Sequence, residues 1–542
     1  MWHDIGNGSG GVGAVPAEVP RKSGIAPLFR RCILASVASL TLCGPAAATN
    51  GYFAHGYSAS QSAMGGAGTA LVEDSLISTI NPGGSAWVGN RFDFNLGLFA
   101  PVRDYTATER GPDAQQSIFT IDPKTIRSDN DLYYIPGMAV NWEIDDVQSW
   151  GFAMYGNGGM NTEYHGNTAR FAQGLAMQDP TTLLLDINFE TQCYGTFGGG
   201  QPVEGVEDQA HLCGYGDKTA GVDLIQLFIA PFYSRKVGDR TSVGISPIFA
   251  GQRFRADGLK AFARFSNDPD SVSDNGYDTS YGFGGRIGFL TGAISGFGIG
   301  ASYQTRIYMS EFKKYKGLFA EQGGFDIPSS WNVGISAHIS ENQRLAFDWQ
   351  RINYSEINSV GNPLNPNRFI NECAIPVLLG DFLAENPLFG ALITAPEKNP
   401  DACLGSSSGP GFGWEDMDVY KLGYQLKFAS FKFRLGYSIT NQPIPSSEVL
   451  FNILAPAVVE MHYTAGVSYQ MSSALGFDLS FMYAEDNPVR GKNPLSNTDA
   501  TVIDLIGFGG STADAFGSDP QDQDLSLDMH QWEAVIGISY RF

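Results

Sequence analysis

Residues 420 to 440 alternate with period two, and no other feature of the chain restricts its fold so strongly. Tyr420, Leu422, Tyr424, Leu426 and Phe428 are interleaved with Lys421, Gly423, Gln425 and Lys427. After Ala429-Ser430, Phe431, Phe433, Leu435, Tyr437 and Ile439 alternate with Lys432, Arg434, Gly436 and Ser438. Successive side chains of a strand point to opposite faces, so these strands meet an apolar surrounding on one side and a polar or crowded one on the other. Lipid outside and a wet lumen inside is such a pair. Fourteen or so segments of barrel length read this way, beginning near Phe92, Leu132, Trp150, Leu224, Thr241, Tyr281, Phe297, Trp331, Leu345, Tyr420, Phe431, Tyr463, Leu475 and Trp532. Near Leu224 and Thr241 apolar residues occupy both parities. Pro136, Pro231 and Pro247 each lack a donor and predict a bulge or a local break.

The connections sort by length. Gly238-Asp239-Arg240, Gly292 to Gly296, Ser340 to Arg344, Ala429-Ser430 and Ser472-Ser473-Ala474 are short, whereas Met160 to Asp223, Ser355 to Val419 and Ala484 to Gln531 are long. Short turns on the periplasmic side and long loops outside are the habit of outer-membrane barrels. The pattern predicts an all-β transmembrane antiparallel barrel of about 14 strands over residues 91–542, with both ends of the mature chain in the periplasm. Its last strand, Trp532, Ala534, Ile536, Ile538, Tyr540 and Phe542 against Glu533, Gly537, Ser539 and Arg541, ends in an aromatic residue. Such an end resembles the signal by which the barrel assembly machinery recognises its clients.

Composition agrees. Charged residues make up only 17% of the chain, aromatics reach 12% and glycines number 66. A formal charge of -22 excludes nucleic acid as a partner, since phosphate recognition needs a basic face. No stretch supplies the roughly 18 consecutive apolar residues of a helical span. Arg30 and Arg31 precede an apolar run from Cys32 to Gly44, and Ala46-Ala47-Ala48 fits a cleavage site. Residues 1–48 are expected to be a signal peptide, overlong because of a misplaced start codon, with the mature chain starting near Thr49. Losing four bases and two acids takes the charge from -22 to -24. Lipid attachment at Cys43 is rejected, because Leu42 stands where a small residue is needed.

Residues 49–90 are too many for a lead-in. They run Asn50-Gly51-Tyr52-Phe53-Ala54-His55-Gly56-Tyr57, then Ala63-Met64-Gly65-Gly66-Ala67-Gly68-Thr69-Ala70, Glu73-Asp74 and Ile80-Asn81-Pro82-Gly83-Gly84. This resembles the start of the FadL/TodX family of outer-membrane transporters of long-chain fatty acids and aromatic hydrocarbons. There the segment is a hatch inside a fourteen-stranded barrel and carries an Asn-Pro-Ala motif. Asn81 and Pro82 match it, while Gly83 replaces Ala and is expected to loosen the turn. The stretch from Ser149 to Met160 resembles the family strand that is kinked to open a lateral exit, and Pro443-Ile444-Pro445 is also similar. The resemblance runs from Asn50 to Phe542 and implies passive uptake of hydrophobic compounds by a monomer. It implies gating by the hatch, with Tyr52, Phe53, Asn81, Pro82 and Gly83, and lateral release near Gly156, Asn157, Gly158 and Gly159. From the residues alone, a flexible exported terminus is the lesser alternative for the glycine-rich segment, and the four lateral residues are equally a frayed strand end.

Three long loops are unusually apolar. One holds Leu378, Leu379 and Phe382, another Leu450, Phe451 and Leu454, and a third Val502, Ile503, Leu505 and Ile506. Exposed patches of this kind mark binding surfaces, here for greasy ligands crossing the lipopolysaccharide layer; packing of the loops on one another is the alternative. On the polar parity stand Arg286, Arg306, Lys421, Lys427, Lys432 and Arg434, beside Asp348 and Asp478. Arg286, Arg306, Lys421, Lys432 and Arg434 are candidates for holding a ligand carboxylate, or for ion pairs with lumen carboxylates and the hatch. Of the exported cysteines, sequence proximity pairs Cys193 with Cys213 and Cys373 with Cys403, among three possible pairings. The histidines show no metal spacing, and the acidic runs Asp268, Asp270, Asp274 and Asp519 to Asp524 read as solvated loop. No cofactor and no enzymatic activity are expected; His462 and Ser468 cannot be paired from sequence. A surface-binding or adhesion barrel with a static plug is the alternative function.

Overall fold

The computed structural model describes residues 50–109, 119–165, 219–292, 296–385, 387–391, 394–496 and 523–542, with the backbone of three short strands, Ala169–Phe171, Gly174–Asp179 and Leu184–Asn188. Fourteen long strands close into one antiparallel sheet. We number them β1 (Arg91–Ala107), β2 (Tyr133–Asp145), β3 (Gln148–Asn161), β4 (Gly221–Lys236), β5 (Thr241–Asp257), β6 (Asp278–Thr291) and β7 (Phe297–Gln304). The second half comprises β8 (Ser330–Ser340), β9 (Gln343–Ile352), β10 (Met417–Phe428), β11 (Phe431–Thr440), β12 (Met461–Gln470), β13 (Leu475–Ala484) and β14 (Asp524–Arg541). Each pairs with its neighbours in sequence, and β1 closes the ring on β14, from Arg91 opposite Arg541 to Ala107 opposite Leu525. The short pieces Thr125–Arg127, Tyr308–Met309 and Val489–Lys492 extend the wall at the long-loop end.

Alternation decides which face is wet. Tyr420, Leu422, Leu435, Tyr463, Phe481 and Ile536 are exposed on the outer surface, whereas Lys421, Arg434, His462, Ser480 and Gln531 are buried inside. Large apolar groups on the outside of a closed barrel with a polar lumen form the surface of a membrane-spanning wall, in which closure leaves no unpaired edge. Aromatic pairs lie at two levels: Trp142 on Trp150 at 4.8 Å toward the turn end, and Tyr303 on Trp331 at 4.2 Å and Tyr483 on Trp532 at 4.4 Å toward the loop end.

β14 begins at Asp524, eight residues before the expected Trp532. In its first half Leu525, Leu527 and Met529 point inward onto the loop core while acidic residues face out. Beyond the bilayer the outside is water, so the parity inverts and the amphipathic signal disappears. Both parities are apolar at β4 and β5 for a related reason: Leu224, Phe228, Phe232, Ile248 and Phe254 are buried on the inner face of these membrane-facing strands. Pro231 and Pro247 fall opposite one another, and the ladder between β4 and β5 skips the residues between Ile245 and Phe249, the break that two missing donors require.

The segment before β1 lies inside the barrel. Short helical turns at Ala59–Ser62, Ser75–Thr79 and Pro82–Trp87 carry it along the wall, and nearly all its residues are buried. One expectation is overturned. β1 starts and β14 ends at the turn end, but Asn50 sits at the loop end, where its carbonyl accepts from the Tyr354 hydroxyl at 2.6 Å. The segment therefore runs down the lumen toward β1.

Candidate functional site

The hatch is fastened to the wall by its Asn-Pro turn. Asn81 caps the turn Pro82–Trp87, accepting from Gly83 N at 3.1 Å, while its Nδ2 donates to Thr69 O and Phe289 O, each at 2.8 Å. The wall makes room through two glycines that sequence reading did not single out. A Cβ at Gly288 would stand 2.1 Å from Asn81 Oδ1, and one at Gly244 would stand 2.4 Å from the Pro82 carbonyl. Gly83 lies close against the same wall: a Cβ there would stand 3.0 Å from Gly288 O and 3.1 Å from Asn81 Oδ1. Midway along the lumen, Gly68 N and Thr69 N both donate to Asp348 at 2.8 Å.

At the loop end the fastening is aromatic. Tyr52 lies 5.0 Å from Tyr354 and 5.8 Å from Trp414, and Phe53 lies 5.8 Å from Tyr354, measured between ring centroids. Tyr52 N donates to the Tyr354 hydroxyl at 3.1 Å. Here the hatch also meets the kinked strand: Ala54 N donates to Asn157 O at 2.9 Å, Gly159 N donates to Tyr52 O at 3.1 Å, and Phe53 forms a bridge with Gly158.

That contact accompanies a gap in the wall. β2 and β3 pair only as far as Gly137 opposite Tyr155. Beyond it, Tyr133 to Pro136 pair with β1, and Gly156 to Asn161 pair with β4 and, through the Phe53–Gly158 bridge, with the hatch, with a register shift between Gly156 and Gly158. Two features open the seam: Pro136 has no N–H to offer, and the bulge at Asn157 turns β3 away. Behind the seam lies a narrow cavity lined by Ile135, Pro136, Gly137, Tyr155, Gly156 and Glu533 among others.

The basic candidates separate into three settings. Arg306 pairs with Asp326 at 2.7 Å. Lys432 and Arg434 close on Glu73 of the hatch, which also receives Arg344; Arg434 and Arg344 are each 3.0 Å away. Burial disfavours the Glu73 charge, but Lys432, Arg434 and Arg344 outweigh it and hold the carboxyl well below its usual range. Its neighbour Asp74 accepts from Ser58 at 2.7 Å and from Ser60. Burial, reinforced by the nearby Asp93, pushes its carboxyl up to about 6. Of the basic candidates only Arg286 and Lys421 line one narrow cavity, against Phe53, His55 and Tyr57. Arg286 there donates to Thr79 O, Gln304 and, at 3.1 Å, the Tyr155 hydroxyl.

The long loops form a cap with an apolar hollow. Leu378, Leu379 and Leu450 are buried in the loop core, so the capture residues among them are not an exposed patch. Phe451 and Leu454 instead line a hollow, partly open to solvent, together with Phe254, Phe262, Phe319 and Phe412. Phe382 lies on the helix Ile375–Glu385, its side chain outside the described residues. Cys373 and Cys403 form a disulfide, with Cα atoms 5.4 Å apart, that anchors the same cap. Cys193, Cys213 and the third apolar loop, with Val502 and Ile503, lie outside the described residues.

His462 and Ser468 lie on one strand, six residues and so roughly 20 Å apart. Ser468 bonds to Arg434 and Asp478 rather than His462. His462 Nδ1 faces Ser438 at 3.2 Å and its Nε2 faces the Gln531 amide at 3.4 Å, not a carboxylate. Among the described residues no group of His, Cys, Asp and Glu is placed to hold a metal ion.

No protein-family model matches the chain, and no curated protein matches it in sequence. Solved structures do match. The chain is similar to a Pseudomonas aeruginosa FadL homologue, with TM-score 0.55 and 12% identity over 91% of this chain and 100% of that one. It is similar to the Pseudomonas putida toluene transporter TodX, with TM-score 0.53 and 14% identity over 91% and 100%. A deltaS2S3 mutant of TodX, named a monoaromatic hydrocarbon channel, gives TM-score 0.52 and 15% identity over 90% and 99%. At these identities the likeness establishes a shared architecture, the fourteen-stranded barrel with an internal N-terminal segment.

Proposed function

We propose that this chain is an outer-membrane channel for the passive uptake of hydrophobic compounds, long-chain fatty acids or hydrocarbons. The observation that carries the reading is the unpaired seam between β2 and β3, with a cavity behind it and the hatch bonded across the bulge. A barrel that only held its shape would gain by zipping this seam, since unpaired backbone in a membrane is costly. A ligand would gather in the apolar hollow around Phe451 and Leu454, pass the Tyr52–Phe53 end of the hatch and leave sideways into the bilayer without crossing water. Residues 49–90 act as the gate, residues 1–48 direct export, and the cavity holding Arg286 and Lys421 is where a carboxylate headgroup would rest.

Labelled oleate and an aromatic hydrocarbon, supplied to cells lacking their own transporter, test the reading. Uptake should require the chain and should fall at least about tenfold when Gly156 and Gly158 are replaced by Phe, with barrel assembly intact, as expected when a route is closed sterically. The competing reading, a surface-binding barrel with a static plug, draws on the ion pairs around Glu73. Unchanged uptake after deletion of residues 50–84 would count against a gating hatch, and absence of uptake in the intact chain would favour the plug.

A further inference from the structure

The seam cavity carries one ionisable side chain with no ion-pair partner among the described residues, Glu533. Glu533 lies on the inner face of β14, opposite Phe99 on one side and Met482 on the other. Its residue is 8% exposed, and among the described residues its Oε2 has no hydrogen-bond partner. Glu533 takes part in none of the ion pairs formed by the described lumen residues, which gather instead around Glu73, Asp93 and Asp326. The carboxyl leans over Gly97: a Cβ there would be 3.4 Å from Glu533 Oε1 and 3.4 Å from the Ile135 side chain. Ile135 and Pro136 belong to the unpaired edge of β2, so the carboxyl faces the inner mouth of the gap.

An unpaired carboxyl in such a place is costly to keep and contributes nothing to the wall. Its position relative to the other cavities suggests a use. The cavity on the far side of Tyr57 has Arg286 and Lys421 in its lining, and Tyr57 lines both. The hollow in the loops is lined by apolar residues and Ser359, without a charged group. A ligand carboxylate would thus be attracted beside the hatch and opposed at the seam, because two carboxylates in a partly dry site repel strongly. An uncharged molecule meets neither effect.

We infer that Glu533 is a specificity-determining residue at the lateral exit, one that passes uncharged apolar molecules and holds back carboxylates. This rests on the uptake reading above and narrows its substrate class to neutral hydrocarbons and alcohols. Laurate and 1-dodecanol, matched in chain length, are supplied in labelled form to transporter-deficient cells at about pH 8.5, alkaline enough to ionise a buried carboxyl. The wild-type chain should take up the alcohol faster than the acid. Glu533→Gln should raise the laurate rate roughly tenfold, the order expected when one opposing charge leaves a partly dry site, with the alcohol rate nearly unchanged. Glu533→Asp, which keeps the charge, should behave as wild type. Folding is followed by heat-modifiable mobility on gels.

Equal wild-type rates for the two probes, or a laurate rate that Glu533→Gln leaves unchanged in a folded barrel, overturns the inference while the uptake reading survives. If the wild type takes up neither probe, the uptake reading itself fails and takes this inference with it.

Discussion

The two ends of the hatch are held by different physics. At the turn end Glu73 draws Arg344, Lys432 and Arg434 onto one carboxylate, and Asp93 accepts from Ser75 N at 2.8 Å and pairs with Arg91 at 2.7 Å. At the loop end Tyr52 and Phe53 lie among Tyr354, Trp414 and Phe325 with few polar bonds. A buried ion cluster is directional and is lost when one partner goes. Aromatic contacts are not directional, and a hydrocarbon can replace them without leaving an orphaned charge. The loop end is therefore the end that an apolar ligand can displace, and the turn end is the anchor that stays.

Removing the anchor should have the largest effect. Glu73→Gln leaves three cations facing a neutral amide and should weaken docking of the hatch by about 3 kcal/mol, the low end for a broken buried pair because Arg344 and Lys432 are a third exposed. Hydrogen exchange should show faster exchange of amides near Glu73, and single barrels in planar bilayers should open more often. Tyr354→Phe comes next. It deletes the hydroxyl that accepts from Tyr52 N and donates to Asn50 O, a loss of roughly 1–3 kcal/mol for buried groups left unpaired. Exchange should then quicken at Tyr52 and stay slow at Gly68 and Thr69, whose amides bind Asp348. If both regions quicken together in either variant, the hatch is one cooperative unit and the contrast between its ends is wrong.

The barrel was far more legible in sequence than the hatch. Alternation located thirteen strand starts to within three residues, because lipid imposes the same rule on every strand that crosses it; only β14 began early, where that rule stops. The hatch obeys no period. Its residues are chosen by what they touch across the lumen, as Glu73 and Arg434 show with 361 positions between them. The polar parity therefore revealed Arg306, Lys432 and Arg434 as lumen cations but not that each is already matched by an acid. Pro136 was legible as a disruption, yet its meaning depends on Asn157 bulging from the facing strand. Glu533 looked like any polar residue of the last strand until Gly97 and the seam were placed beside it.

Proton concentration gives the smallest and most selective handle on the anchor. Because burial and Asp93 raise the Asp74 carboxyl to about 6, docking takes up a proton there that a solvated hatch would not hold. The resulting stabilisation is complete below the ordinary carboxylate value, declines as pH rises, and is gone above about 6. Glu73 has the opposite sign: its depressed value makes its contribution present above the ordinary carboxylate range and lost only in strong acid. From mildly acidic to neutral conditions the two therefore do not cancel, and of the two only Asp74 changes. Docking should weaken by about 1 kcal/mol between pH 5 and pH 7, one unit of linked titration. The Leu76 amide, which donates to Asp74 at 3.0 Å, reports it once exchange is corrected for its intrinsic pH dependence. Asp74→Asn should flatten that dependence and leave exchange at Tyr52 unaltered. A slope that persists in Asp74→Asn would move the proton to another residue and remove the electrostatic distinction between the two ends.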